Sequence, residues 1–201
     1  MIRIGIDPSL QSTGVCVYDD ETNINTYYII SSKMTGKMKA FKSDYIIYRP
    51  YTKIPTTDLG YSEKESVKTQ NVKAIVDNLN IILSDVRVKS RNLPEVPGCT
   101  MVACVEGISY GSAGAGQVAD LAGLNYLIRE ALYIKGIPFI IVPPTQLKKS
   151  AVGNGAAGKD MMISSWKMLD RNISGIPEVK NGVLKVDDCA DAFFLAHYNE
   201  P

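Results

Sequence analysis

The sequence holds one histidine and four cysteines, and Cys16, Cys99, Cys104 and Cys189 form no CxxC pair. A structural zinc site needs clustered sulfur and imidazole ligands, so a zinc site is not expected. Three of the thiols fall in or beside apolar segments, as free cysteines in a reducing compartment do. Long hydrophobic runs are also missing. A bilayer span takes about 20 apolar residues, and no stretch approaches that. Met1 leads directly into an apolar alternation with no basic leader. Neither a signal peptide nor a membrane segment is expected, and the expected location is the cytoplasm. An excess of one charge is absent too. Lys and Arg total 22 against 21 for Asp and Glu, a net charge of +1, so no global basic field marks a nucleic-acid binder.

What is present is a 201-residue chain with 45% hydrophobic residues, enough for a core. It fits one domain, 1–201, with an elaborated segment at about 32–60. Ile2, Ile4 and Ile6 alternate with Arg3 and Gly5 as a strand, a turn follows, and Val15 to Tyr18 resume as a second strand. Residues 26–31 (TYYIIS) continue a meander. The stretch from 32 to 60 reads as an extended loop or an added hairpin, with 45–48 able to form a strand. It carries Lys33, Lys37, Lys39, Lys42, Arg49 and Lys53 against the single acid Asp44. That excess suits either a phosphate backbone or a solvated loop.

Ser62 and Glu65 have capping-box spacing. Val72, Ile75, Val76, Leu79, Ile82, Leu83 and Val86 then recur at helical intervals. MVACV, 101–105, is a short buried strand, and Gly107 to Gly116 is a small-residue loop. Residues 117–135 form a helix that is apolar on more than one face, sandwiched or at a subunit interface. Ala119, Ala122 and Gly123 would allow close approach of a second copy, with Leu124 on that interface. PFIIV (138–142) is another strand, and Pro143 and Pro144 open a short helix. AVGNGAAG (151–158) reads as a flexible connection, and 159–169 as a helix with Trp166 in the core. The last helix starts near Asp187, which serves as its cap. This order predicts an α/β domain with a mixed sheet and helices on both faces.

Acids punctuate the pattern. Asp7 ends the first strand, Glu106 ends a later one, and Asp188 and Asp191 share a face at the start of the last helix. Gathered at one sheet edge they would repel each other and call for a cation, for which oxygen ligands suit Mg²⁺ or Mn²⁺. Taken singly, Asp7 also suits a turn, and Asp188 and Asp191 suit a helix N-terminus.

Four ordered stretches carry a resemblance. GIDPSLQSTG (5–14), VACVEG (102–107), LKKSAVGNGAAGK (147–159) and DCADAFFLA (188–196) resemble motifs of the RuvC family of Holliday-junction resolvases. They match GIDPG…TG, the acid closing a middle strand, VK…VVGxGxAxK and DAADALAIA. The resemblance implies an RNase H-like fold, and Asp7, Glu106, Asp188 and Asp191 as catalytic and metal-binding acids. It implies about two Mg²⁺ (or Mn²⁺) ions per site and DNA contacts from Lys148 and Lys159. It further implies a homodimer that cuts opposed strands of a four-way junction, leaving 5′-phosphate and 3′-hydroxyl ends. Such an enzyme works in the cytoplasm of a bacterial cell or phage-infected host.

An aromatic residue near the junction centre would correspond to Tyr110 after a one-residue shift, since Ser109 stands in the unshifted place. Ser9 in place of a glycine, the segment 32–60 and the modest charge depart from the pattern. They open the alternative of a broader branched-DNA endonuclease acting on forks, flaps or three-way junctions. Two other classes compete: a non-catalytic DNA-binding protein, and an actin-like ATPase, whose phosphate loop shares the form GIDxGxxxxG. The ATPase would need a second lobe, so no nucleotide cofactor is expected.

Overall fold

The computed structural model describes residues 1–91, 101–108, 115–173, 184 and 186–199. Strands β1 (Ile2–Asp7), β2 (Ser12–Asp19) and β3 (Ile24–Ser31) form the antiparallel meander. Next come α1 (Gly36–Ala40), β4 (Ile46–Pro50), α2 (Tyr61–Arg91), β5 (Met101–Glu106) and α3 (Ala115–Ile134). The chain continues through β6 (Phe139–Val142), α4 (Pro144–Val152), α5 (Lys159–Leu169) and α6 (Val186–Ala196). The six strands lie in the order β4-β3-β2-β1-β5-β6, and β1–β5, β5–β6 and β3–β4 are parallel pairs.

The sheet is covered on both faces, and side-chain alternation decides which residues face which helices. Ile2, Ile4, Ile6, Val15, Val17, Ala103 and Val105 pack under α2 and α3. The intervening positions of the same strands, Gly5, Cys16 and Cys104, face α4, α5 and α6. Asp7 and Glu106 share the parity of Gly5 and Cys104, so both belong to the α6 face. Trp166 is fully buried there and donates from Nε1 to the Tyr27 hydroxyl at 2.9 Å, while that hydroxyl bonds the Asp170 carboxylate.

Several expectations are corrected. The segment 32–60 is not an added hairpin: the strand open at 45–48 is β4, which runs parallel to β3 with Tyr27 opposite Ile46 and Ser31 opposite Pro50, while 51–60 carry neither helix nor strand. A parallel return needs a crossover of about a dozen residues. The stretch 32–45 supplies it through α1, capped by Thr35, whose Oγ1 accepts from the Met38 amide at 3.1 Å.

The start of α2 lies before Ser62. Gly60 takes the cap position, its amide donating to Glu63 Oε2 at 3.2 Å, while Glu65 pairs with Lys68 at 2.9 Å. With Ser62 inside the helix, Glu63 is the acid three residues after the cap position and is the one that closes back on the Gly60 amide. The 151–158 connection is a hydrogen-bonded turn. The Gly153 amide bonds the Lys149 carbonyl at 2.9 Å, the Ala157 amide bonds the Asn154 carbonyl at 3.1 Å, and Ala157 is buried. Leu124 is fully buried in the α2–α3 core, so it cannot line an interface. No helix among the described residues is long and apolar enough to cross a membrane.

Candidate active site

The acid cluster is assembled by three elements. β1 and β5 are adjacent and parallel, with Ile6 opposite Val105, so the next residues, Asp7 and Glu106, end neighbouring strands on one face. Adjacent strands stand about 4.8 Å apart. The third element, α6, crosses β1 and β2 at contact distance because both strands carry glycine beneath it. A Cβ on Gly5 would stand 2.0 Å from the Ala192 carbonyl oxygen, and one on Gly14 would stand 2.2 Å from that of Asp188. Gly14 is itself paired with Asp7 in the β1–β2 register. The close approach therefore sets Asp188 and Asp191 over the end of β1.

Asp7, Glu106, Asp188 and Asp191 are each half-buried, and they act on one another. Burial pushes the Asp7 carboxyl well above the usual carboxylate range, and the charges of Glu106, Asp191 and Asp188 push it further. Asp7 also hydrogen-bonds Glu106, which raises Asp7 and lowers Glu106. Burial raises Glu106 as well, with the Lys148 charge opposing. Asp191 is pushed up to about 7, first by burial and then by Glu106 and Asp187, while Lys148 and Lys159 hold it back.

Lys148 lies on α4, half-buried, and its charge acts on both Glu106 and Asp191. Lys159 opens α5 and donates from Nζ to Asp187 Oδ2 at 2.6 Å. This removes Asp187 from the cap role: α6 begins one residue earlier, at buried Val186. The turn 153–158 joins the two lysine-bearing helices, and both lysine charges act on Asp191. Tyr110 lies outside the described residues.

The donor chemistry fits a hard divalent cation. Carboxylate oxygens converge, they carry mutual repulsion that a cation would relieve, and Asp187 Oδ1 is buried without a hydrogen-bond partner among the described residues. The placement is not that of a closed ligand cage. Among the described residues no three Asp, Glu, His or Cys side chains stand ready to hold an ion.

Sequence reading missed three contributors. Asn125 is buried on α3 and donates from Nδ2 to the Glu106 backbone carbonyl at 2.8 Å, anchoring the end of β5. A lone amide between Leu124 and Ile128 on an apolar helix was its signal. Gly5 and Gly14 are the second, their role invisible until α6 is placed. Asp187, read as a cap, belongs to the charge cluster.

No family model matches the sequence, and neither does any curated protein. Solved structures do match. Thermus thermophilus RuvC aligns over 98% of this chain and 91% of its own at 17% identity and a TM-score of 0.52. The T. thermophilus RuvC complex with a Holliday junction substrate aligns over 98% and 90% at 16% identity and 0.53. With its mixed sheet between two helical layers, this chain has the RNase H-like α/β fold of the RuvC resolvases.

Proposed function

We propose that this protein is a divalent-metal-dependent endonuclease that cuts branched DNA, four-way junctions foremost, as a crossover junction endodeoxyribonuclease. One observation carries the reading. Two strand-end acids, Asp7 and Glu106, close adjacent parallel strands beneath the acids of α6, in a fold whose structural relative is seen with a Holliday junction. Carboxylates crowded together in a partly buried site repel one another, and a cation among them removes that cost.

Asp7, Glu106, Asp188 and Asp191 are the residues that would hold Mg²⁺, or Mn²⁺ in its place. When bound, a pair of such ions supplies an activated water and charge stabilisation at the leaving oxygen. The chain's own part is to orient those four carboxylates, through the β1–β5 register and the glycine contacts with α6. Lys148, facing Glu106 and Asp191, and Lys159, at the mouth, would take the phosphates on either side of the scissile bond. Tyr110 would stand near the junction centre.

A homodimer would present two such sites to opposed strands. The exposed stripe Ala119, Gly123, Tyr126, Glu130 and Tyr133 on α3 offers a surface for it, at alternating spacings of four and three residues. The broader substrate reading, forks and flaps, draws on α1 and β4, which widen the sheet beside the site.

The test is cleavage of a synthetic four-way junction in Mg²⁺ beside three-way, flap and linear duplex DNA. Wild type should nick the four-way junction in pairs, and Asp7→Asn should lose most cleavage while keeping its fold by circular dichroism. Full activity in Asp7→Asn, or equal cutting of linear duplex, would refute the reading.

A further inference from the structure

We propose that the segment from Lys33 to Lys53 is a second nucleic-acid-binding arm, laying Lys33, Lys37, Lys39, Lys42 and Lys53 along the phosphates of a duplex that flanks the acid cluster. The proposal rests on the DNA-cutting reading and adds a recognition surface to it.

Position is the first observation. Both feet of the segment stand at the edge of the sheet where Asp7 ends β1. Ser31, where it leaves β3, pairs with Ser12, and Pro50, where β4 ends, pairs with Ser31. Asp7 pairs with Gly14 on the same β2. At about 4.8 Å per strand, the feet lie about 10–15 Å across the sheet from β1, within one duplex diameter. The crossover lies on the α6 face, because Met38 is buried in the core formed with Trp166, Leu184, Val186 and Cys189.

Anchoring is the second. The Tyr48 hydroxyl donates to the Leu184 carbonyl at 2.8 Å, two residues before α6. The Tyr51 hydroxyl donates to the Leu10 carbonyl at 3.2 Å, and Ser31 Oγ to that of Gln11, also at 3.2 Å. The arm is thus tied both to the turn that follows Asp7 and to the chain leading into the acids of α6.

Charge is the third. All five lysines are exposed, and among the described residues none forms an ion pair. Two lysines of α2 differ: Lys68 pairs with Glu65 and Asp120, and Lys73 with Asp77. A one-sign surface repels itself, and a polyanion laid along it removes that cost. Protection of the sheet edge does not account for them. That task falls within β4 itself, to Pro50 and to Arg49, which pairs with Asp85 at 3.1 Å.

The experiment measures binding alone. A fluorescein-labelled four-way junction and a labelled linear duplex are titrated by anisotropy in Ca²⁺ across a salt series. The triple variant Lys37→Gln, Lys39→Gln, Lys42→Gln should bind both DNAs at least tenfold more weakly at low salt. Its log K against log salt slope should flatten by about 2–3, roughly 0.9 for each lost contact. The matching triple Lys→Arg variant should restore both. An unchanged slope and affinity in the Gln variant, beside a wild type that binds and cleaves, overturns the arm and leaves the nuclease standing. A wild type that binds neither DNA overturns both.

Discussion

The backbone of Gly14 lies so close to Asp188 that a Cβ on Gly14 would stand 2.2 Å from the Asp188 carbonyl oxygen. The contact is backbone to backbone, so no side-chain rotation relieves it. Gly14→Ala should push the start of α6 away from β1 and separate the acids. Overpacking of this kind costs about 1–3 kcal/mol. The expected result is a folded protein with a lower urea midpoint and a loss of junction cleavage far larger than that stability change explains. Wild-type cleavage in Gly14→Ala would show that the acids need not be so closely held.

The stability of the metal-free protein should depend on Asp191. Its carboxyl is raised from an ordinary 3.8 to about 7, chiefly by burial and the charge of Glu106. Below about pH 4 both folded and unfolded forms hold the proton and the site costs nothing. As pH rises towards 7 the unfolded chain releases its proton first, so stability falls, and above 7 the loss is complete at several kcal/mol. Asp7, raised in the same direction, adds to it. His197, lowered by burial, loses stability on acidification instead. The measurement is therefore the difference in melting temperature between wild type and Asp191→Asn in chelator from pH 4 to 8. That difference should widen with pH in favour of the variant, and a flat difference would contradict the raised carboxyl.

Lys148 and Lys159 should separate by experiment. Lys148 faces Glu106 and Asp191, whereas Lys159 is held by Asp187 at 2.6 Å with most of its side chain in solvent. Alanine at either should weaken junction binding and flatten the salt slope by about one contact. Lys148→Ala should also raise the Glu106 and Asp191 carboxyls, so its cleavage optimum should move to higher pH. Unchanged binding in both variants would reduce the pair to solvated lysines.

Assembly should respond to the outer face of α3 and not to its inner one. Tyr126 and Tyr133 are 63% and 80% exposed, while Leu124 shows no exposure at all. Tyr126→Glu with Tyr133→Glu should sediment as a folded monomer that no longer coordinates paired incisions. Leu124→Glu should unfold the protein, since it buries a charge among Ile75, Leu79 and Ile128. A double Tyr variant that remains dimeric would place the interface elsewhere.

Local pattern in the sequence was enough to read the meander, the strand that carries Glu106, every helix except α1, and the core role of Trp166. Alternation and helical spacing are short-range signals, and burial of an apolar face enforces them. The order of the elements was likewise enough for a mixed sheet with helices on both faces. Where a choice depended on chain direction or on partners distant in sequence, the pattern was silent. Ser62 with Glu65 has the better spacing on paper, yet the helix starts before it and Glu63 reaches back to the Gly60 amide. A basic segment with an ambiguous strand could not reveal a parallel β4, because that pairing depends on the crossover through α1 and on Met38 finding the α6 core. Asp187 looked like a cap until Lys159, 28 residues away, was placed on its carboxylate. The four acids were visible as residues, but their mutual influence was not. It follows from the parallel β1–β5 register and the bare backbones of Gly5 and Gly14, which bring the carboxyls together out of water, where their charges are poorly screened.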